Sequence, residues 1–220
     1  MALHLILLGP PASGKGTQGR RLAADRGLDY LSTGALLRGV LKEDSPAARE
    51  IRPILDRGGY IPDELMCGIM REWLADHPGG WVLDGFPRTL MQDDFLAAWL
   101  AERGERVDAA VALDVPKDEL IRRIEGRVEC PDCRWSGQKE ELNEGRRCPK
   151  CGGAAGPRSD DNLTNFLSRY DEYCEQTVPV IERHDAAGTL LHCDATRSVD
   201  EVAATIEANL KTLTNDGETA

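Results

Sequence analysis

Short apolar runs, separated by longer stretches with helical spacing, divide the chain into alternating units. Runs of strand length occur at Leu3–Leu8, Leu28–Leu31, Trp81–Leu83, Val107–Leu113 and Thr189–Cys193. The first is apolar at nearly every position, broken only by His4, as in a strand buried on both faces of a parallel sheet. Between the runs, Ala12–Arg26, Thr89–Arg103 and Pro116–Glu125 carry apolar side chains at helical intervals. A longer stretch, Asp161–Asp185, keeps Leu163, Phe166, Leu167, Tyr170, Cys174, Val178 and Ile181 on one face and reads as a single helix. Ser198 and Glu201 make a capping box ahead of Val202, Ile206 and Leu210. Strands alternating with helices predict an α/β fold, a five-stranded parallel sheet with right-handed crossovers and helices on both faces. The tail after Leu213 is polar and is expected to fray.

Two segments interrupt the alternation. Thr33 to about Met70 is helical in pattern and contains no strand. Arg127–Asp160 is rich in Gly, Pro, Cys and charge, with no regular period. A loop of that length in a compact domain calls for a function or a staple of its own. Both segments follow elements that reach the ligand end of such a sheet, the placement of two flaps over one crevice.

The first run leads into chemistry. After Leu8 comes Gly9-Pro-Pro-Ala-Ser-Gly14-Lys15, with the spacing G-x-x-x-x-G-K, and a helix opens at Lys15. Glycines let a backbone approach a polyphosphate, successive N–H groups point at its oxygens, and the helix start and Lys15 add positive charge. Gly16 stands where the usual Ser/Thr would be, and Thr17 comes one residue later.

Cys130-Pro-Asp-Cys133 and Cys148-Pro-Lys-Cys151 are two facing C-x-x-C turns fourteen residues apart. Four thiolates in tetrahedral reach make a closed structural Zn²⁺ site, which staples a segment too small for a core of its own. Iron in four thiolates, and redox dithiols, remain open on spacing alone. Cys67, Cys174 and Cys193 lie on apolar faces or strands and read as small buried hydrophobes. The four histidines form no pair at ligand or triad spacing.

Length and charge narrow the alternatives. At 220 residues the chain suits one domain with insertions. A net charge of −11 argues against a nucleic-acid scaffold. Of the 27 basic residues 21 are arginine, the side chain that grips phosphate bidentately. No apolar stretch approaches membrane-spanning length, and Leu3–Leu8 is too short and lacks the basic flank of a signal peptide, so neither a membrane nor an exported location is expected, and a reducing cytoplasm fits the odd, clustered cysteines. Thr33-Gly34 and Arg38 follow the second strand and Asp84-Gly85-Phe86-Pro87-Arg88 the third. Arg123 and Arg127 precede the cysteine segment, Arg158, Asp160 and Asp161 end it, and Arg169 is on the long helix. Residues just past parallel strands converge on one crevice, and an acidic strand end such as Asp84 organises Mg²⁺ in phosphate-loop enzymes.

The stretches GPPASGKGTQ, LSTGALLR, GGYIPDEL, LDGFPRT with Gln92, LDVPKDELIRRIEGR and RSDDN, together with the four-cysteine insertion, resemble adenylate kinase in its long-lid bacterial form. The resemblance runs from about Leu3 to Leu210. It implies a phosphate-loop nucleoside monophosphate kinase that moves a phosphoryl group reversibly from Mg·ATP to AMP, giving two ADP and keeping adenine nucleotides in balance. It implies a cytoplasmic monomer and one domain over 1–213. The core would be 1–31, 62–126 and 161–213, with an AMP flap at 32–61, a zinc-binding lid at 127–160 and a polar tail at 214–220. Ala12, Ser13, Gly14, Lys15, Gly16 and Thr17 would hold the ATP phosphates. Thr33, Arg38, the backbone of Gly59, Tyr60 and Ile61, and Gly85, Phe86, Pro87, Arg88 and Gln92 would hold AMP, with Gln92 at the adenine edge. Arg123 and Arg127 would serve ATP, Arg123 against its ring, with Arg197 near its base. Lys15, Arg88, Arg123, Arg158 and Arg169 would carry the transfer electrostatically, with Asp84 serving Mg²⁺. Ala35, Arg134-Trp135 and the missing tyrosine–histidine pair of the lid depart from the family pattern. A UMP or CMP kinase, and a zinc-ribbon protein that binds nucleic acid or a partner, are the alternative readings.

Overall fold

The computed structural model describes residues 2–41, 46–57, 59–158 and 161–216. Residues 42–45 and 58 of the expected flap, Ser159 and Asp160 at the end of the expected lid, and the last four residues of the tail lie outside the described residues. Five parallel strands, β1 (His4–Leu8), β2 (Asp29–Ser32), β3 (Trp81–Asp84), β4 (Ala109–Asp114) and β7 (Leu190–Asp194), form one sheet in the order β2-β3-β1-β4-β7. Each of the last four observed strands ends one residue later than the apolar run that announced it, because the polar strand-end residues Ser32, Asp84, Asp114 and Asp194 still pair.

Strand β1 sits between β3 and β4 and is buried along its whole length. Its side chains alternate between two cores. Ile6 and Leu8 join Leu31, Leu83 and Ala110 against helices α2 (Thr33–Val40), α3 (Pro46–Asp56), α4 (Asp63–Asp76), α5 (Leu90–Ala101) and α8 (Val178–Ala186). Leu5 and Leu7 join Val82, Val111 and Leu113 against α1 (Lys15–Arg26) and α9 (Val199–Asp216). This two-sided burial accounts for the continuous apolar run, since neither face of a central parallel strand meets water. Helix α6 (Lys117–Gly126) and α7 (Leu163–Glu172) share a smaller cluster of Leu120, Ile124 and Phe166.

Four expectations need correction. The single long helix is two, α7 and α8, joined by a wide π-helical turn at Tyr173–Thr177. Pro179 lies in the first turn of α8, and its ring nitrogen cannot donate to the preceding turn, so regular α-helix cannot run through it. Cys174 lies in that turn and is exposed, not a buried hydrophobe; Cys67 is only partly buried, and Cys193 is buried as expected. The cysteine segment also has regular structure, an antiparallel pair of β5 (Arg127–Glu129) and β6 (Ser136–Gln138). Helix α9 continues three residues past Leu213, the point from which fraying was expected.

Candidate active site

The loop after β1 turns by backbone conformations that side chains rarely adopt: φ is +143° at Gly9, +66° at Ala12 and +99° at Gly14. A Cβ on Gly9 would lie 2.9 Å from Ser13 Oγ and 3.0 Å from the Leu113 carbonyl, so only glycine fits that close approach. Gly14 caps α1, whose first turn holds no acidic residue. The helix start is therefore left positive and open to an anion. Lys15 folds back over the loop, its Nζ donating to the Gly9 and Pro10 carbonyls at 2.8 and 2.9 Å. Loss of hydration lowers its pKa to about 8; Asp84 opposes that shift, and Arg88 and Arg127 add to it. The departure from the usual loop has a geometric reading: at Gly16 no side chain stands between the helix start and Asp84 Oδ2, which would lie 3.4 Å from a Cβ there. Asp84 accepts from the Tyr30 hydroxyl at 2.9 Å. Burial first, and then the Asp84 charge, push the Tyr30 phenol far up, so it stays a donor.

The loop lines one cleft of about 1190 Å³. Among the described residues thirteen basic side chains border it against five acidic ones, in a chain of net charge −11. Of the residues singled out from sequence, Ala12, Ser13, Gly14, Lys15, Gly16, Thr17, Arg38, Gly59, Tyr60, Asp84, Gly85, Pro87, Arg88, Arg123, Arg127, Arg158, Arg169 and Arg197 all line it. Trp135, from the atypical part of the cysteine segment, lines it as well. No histidine does, among the described residues.

Thr33, Ile61, Phe86 and Gln92 stand behind the cleft wall. Phe86 is fully buried and Ile61 nearly so. Thr33 donates to the Gly85 carbonyl at 2.8 Å. Gln92 is 2% exposed and both ends of its amide are engaged: Oε1 accepts from the Arg88 N–H and Nε2 donates to Asp63 Oδ1, each at 2.8 Å. Asp63 also accepts from Thr89, which caps α5 by accepting from the Gln92 N–H.

The arginines are held by partners both near and far in sequence. Arg123 donates to Glu119 at 2.8 Å and to the Ala195 carbonyl at 2.7 Å. Hydrogen bonds from Arg122, and then Arg123, hold the Glu119 carboxyl down to about 2. Arg127 makes a two-point bond to Asp161, joining the two ends of the cysteine segment, and Arg158 lies 3.5 Å from Glu129. Arg197 pairs with Asp194. Tyr30, Asp63 and Glu119 are not singled out by the sequence, and Asp161 is, but without Arg127 as its partner. A hydrogen bond between residues 54 or 34 positions apart leaves no periodic trace in the chain.

The four cysteines converge. All Sγ atoms of Cys130, Cys133, Cys148 and Cys151 lie within 4.8 Å of one another, with Cys130–Cys151 at 3.6 Å and Cys133–Cys148 at 3.5 Å. Four sulfurs at ~2.3 Å from one tetrahedral metal would stand roughly 3.8 Å apart, so the donor set fits zinc.

Comparison with known proteins agrees with this geometry. A family model described as "Adenylate kinase" matches residues 7–189. The chain is 39% identical over 209 residues to an adenylate kinase of Paracoccus denitrificans, covering 94% of this chain and 96% of that protein. It is 35% identical to the adenylate kinase of Carboxydothermus hydrogenoformans, over 95% of this chain and all of the relative. A third adenylate kinase, from Archaeoglobus fulgidus, is 35% identical over 96% of this chain and 99% of its own length. Matches of this extent leave no large part of the chain outside the shared pattern, and with a phosphate loop opening onto an arginine-lined cleft they establish that the chain belongs to the adenylate kinase family.

Proposed function

We propose that the cleft transfers the terminal phosphoryl group of ATP to AMP, giving two ADP, and runs equally in reverse. The observation that carries this reading is the gathering of thirteen basic side chains around a phosphate loop in an otherwise acidic protein. Two polyanions meet in this reaction, and charge neutralisation is the main task of the site.

The attacking group is an oxygen of the AMP phosphate. It is already largely ionised at neutral pH, since a phosphate monoester's second pKa is about 6. No general base is required, which agrees with the lack of histidine in the cleft lining. As the new P–O bond forms, the bond to the bridging oxygen breaks, and the electron pair leaves with ADP. Lys15 and the loop N–H groups hold the donor phosphates. Arg88 takes the acceptor phosphate, and Arg123, Arg158 and Arg169 neutralise charge around the transferred group. Asp84 would hold the Mg²⁺ that arrives with ATP, and the ion would supply further neutralisation. Zinc in the four thiolates would be structural, as all four positions would be taken by cysteine.

The flap at 32–61 and the lid at 127–160 would close over the nucleotides and keep water from accepting the phosphoryl group. Gln92 spends one amide N–H on Asp63 and one Oε1 lone pair on the Arg88 N–H, and would offer the second N–H and lone pair to an adenine edge. The family resemblance implies a cytoplasmic monomer, and no helix among the described residues is long and apolar enough to cross a membrane.

ADP as sole substrate tests the reaction: ATP and AMP should appear in equal amounts, and their absence refutes it. Acceptors other than AMP, UMP and CMP first, should be poor. Lys15→Ala should reduce turnover on the order of ~10²-fold or more, and near wild-type turnover would remove Lys15 from the mechanism.

A further inference from the structure

The side chain of Tyr60 and the wide turn between α7 and α8 have no part in the mechanism above, yet both meet at Arg88. The Tyr60 ring lies under the Arg88 guanidinium, 4.6 Å from ring centre to Cζ. Arg88 Nε donates to the Gly85 carbonyl at 2.8 Å, which bends the side chain back along the cleft wall. The Arg88 carbonyl accepts from Thr177 Oγ1 at 2.9 Å, and Thr177 Oγ1 lies 3.4 Å from the Tyr60 hydroxyl. Thr177 has one hydroxyl proton and the Arg88 carbonyl takes it, so in the second contact Tyr60 is the donor. Thr177 is 4% exposed and closes the π-helical turn, a feature that often marks a functional position in a helix.

We propose that Tyr60 and Thr177 are positioning residues for Arg88, holding its guanidinium flat against the acceptor side of the cleft before a nucleotide arrives. Tyr60 restrains the planar head through its ring, and Thr177 restrains the backbone from which the side chain springs. A free arginine side chain samples many rotamers, and ordering it beforehand removes that cost from the binding and transfer steps. The hydroxyl contact at 3.4 Å is long for O–H···O, so the ring carries most of the restraint. The proposal rests on Arg88 serving the acceptor phosphate.

The test uses Tyr60→Leu, Tyr60→Phe and Thr177→Val in the full chain, with steady-state kinetics for both nucleotides and the NMR signal of the Arg88 Nε–H without nucleotide. Tyr60→Leu should lower kcat/KM for AMP on the order of ~10-fold, while the KM for ATP moves less than about twofold. Tyr60→Phe should recover most of that loss, and Thr177→Val should fall between. The Arg88 Nε–H should carry a ring-current shift in the wild type and in Tyr60→Phe, and lose it in Tyr60→Leu. The proposal is overturned by an unshifted Arg88 signal in the wild type, by an unchanged kcat/KM for AMP in Tyr60→Leu, or by equal losses for both nucleotides. Should Tyr60→Leu not fold, the wild-type signal and Tyr60→Phe, which keeps the ring, still decide. If the wild type makes no ATP from ADP, the functional reading fails, while the ring-current shift reports on the Arg88 contact independently.

Discussion

Lys15 lies over its own loop with a pKa lowered to about 8, chiefly by loss of hydration. In free enzyme the ammonium is therefore lost as pH rises through about 8. A bound polyphosphate favours the charged form and raises that pKa again. The kcat/KM for ATP should accordingly fall above pH about 8, while kcat holds to higher pH; pH–rate profiles of the two parameters check this, and a flat kcat/KM from pH 8 to 10 contradicts it. The sign for stability is opposite. Between about 8 and 10.5 the unfolded chain holds more protons than the native one, so the contribution of Lys15 to stability rises with pH. Gly85 shows the same sensitivity to single atoms. Its φ is +80°, and a Cβ there would lie 2.8 Å from Thr33 Oγ1 and 2.9 Å from Arg88 Nη2. Gly85→Ala should cost about 1–3 kcal/mol and displace Arg88, seen as a lower midpoint of denaturation together with a higher KM for AMP.

The cysteine segment and the broken helix differ in how they declared themselves. Two C-x-x-C turns were legible from spacing because metal geometry restricts the ligand pattern so tightly. The β5–β6 pair between them was not, since strands of three residues carry too few positions to show alternation. Chelating the metal should unfold this segment first, because it buries little besides the cysteines, Ala155, Trp135 and Leu142. The melting temperature should then drop more than the rate measured in the cold; loss of activity with the fold intact would make the metal catalytic. The split of Asp161–Asp185 into α7 and α8 was missed because apolar spacing continues across it. Pro179 was the available signal, and its missing N–H outweighs the periodicity.

Across the protein, the basic lining of the cleft is set within an acidic surface. Such a distribution draws anionic nucleotides toward the site and away from the rest of the molecule. Salt screens this attraction over a Debye length of about 8–10 Å near physiological ionic strength. The kcat/KM for ATP and AMP should therefore decline as monovalent salt increases, more steeply than kcat. Equal salt dependence of both would show that the charges act only at contact.

Local chemistry settles some features before any folding: a glycine-rich turn after an almost wholly apolar strand, cysteines at metal spacing and strands alternating with helices. Each is imposed by neighbours within a few residues, so it is written in short stretches of chain. The arginine partners are another matter. Ala195 on Arg123, Asp161 on Arg127, and Tyr60 with Thr177 on Arg88 are brought together by the order in which the strands assemble. Those contacts span up to 89 positions. Packing of the sheet against its two helical layers selects them, because side chains that meet only after assembly constrain no local pattern.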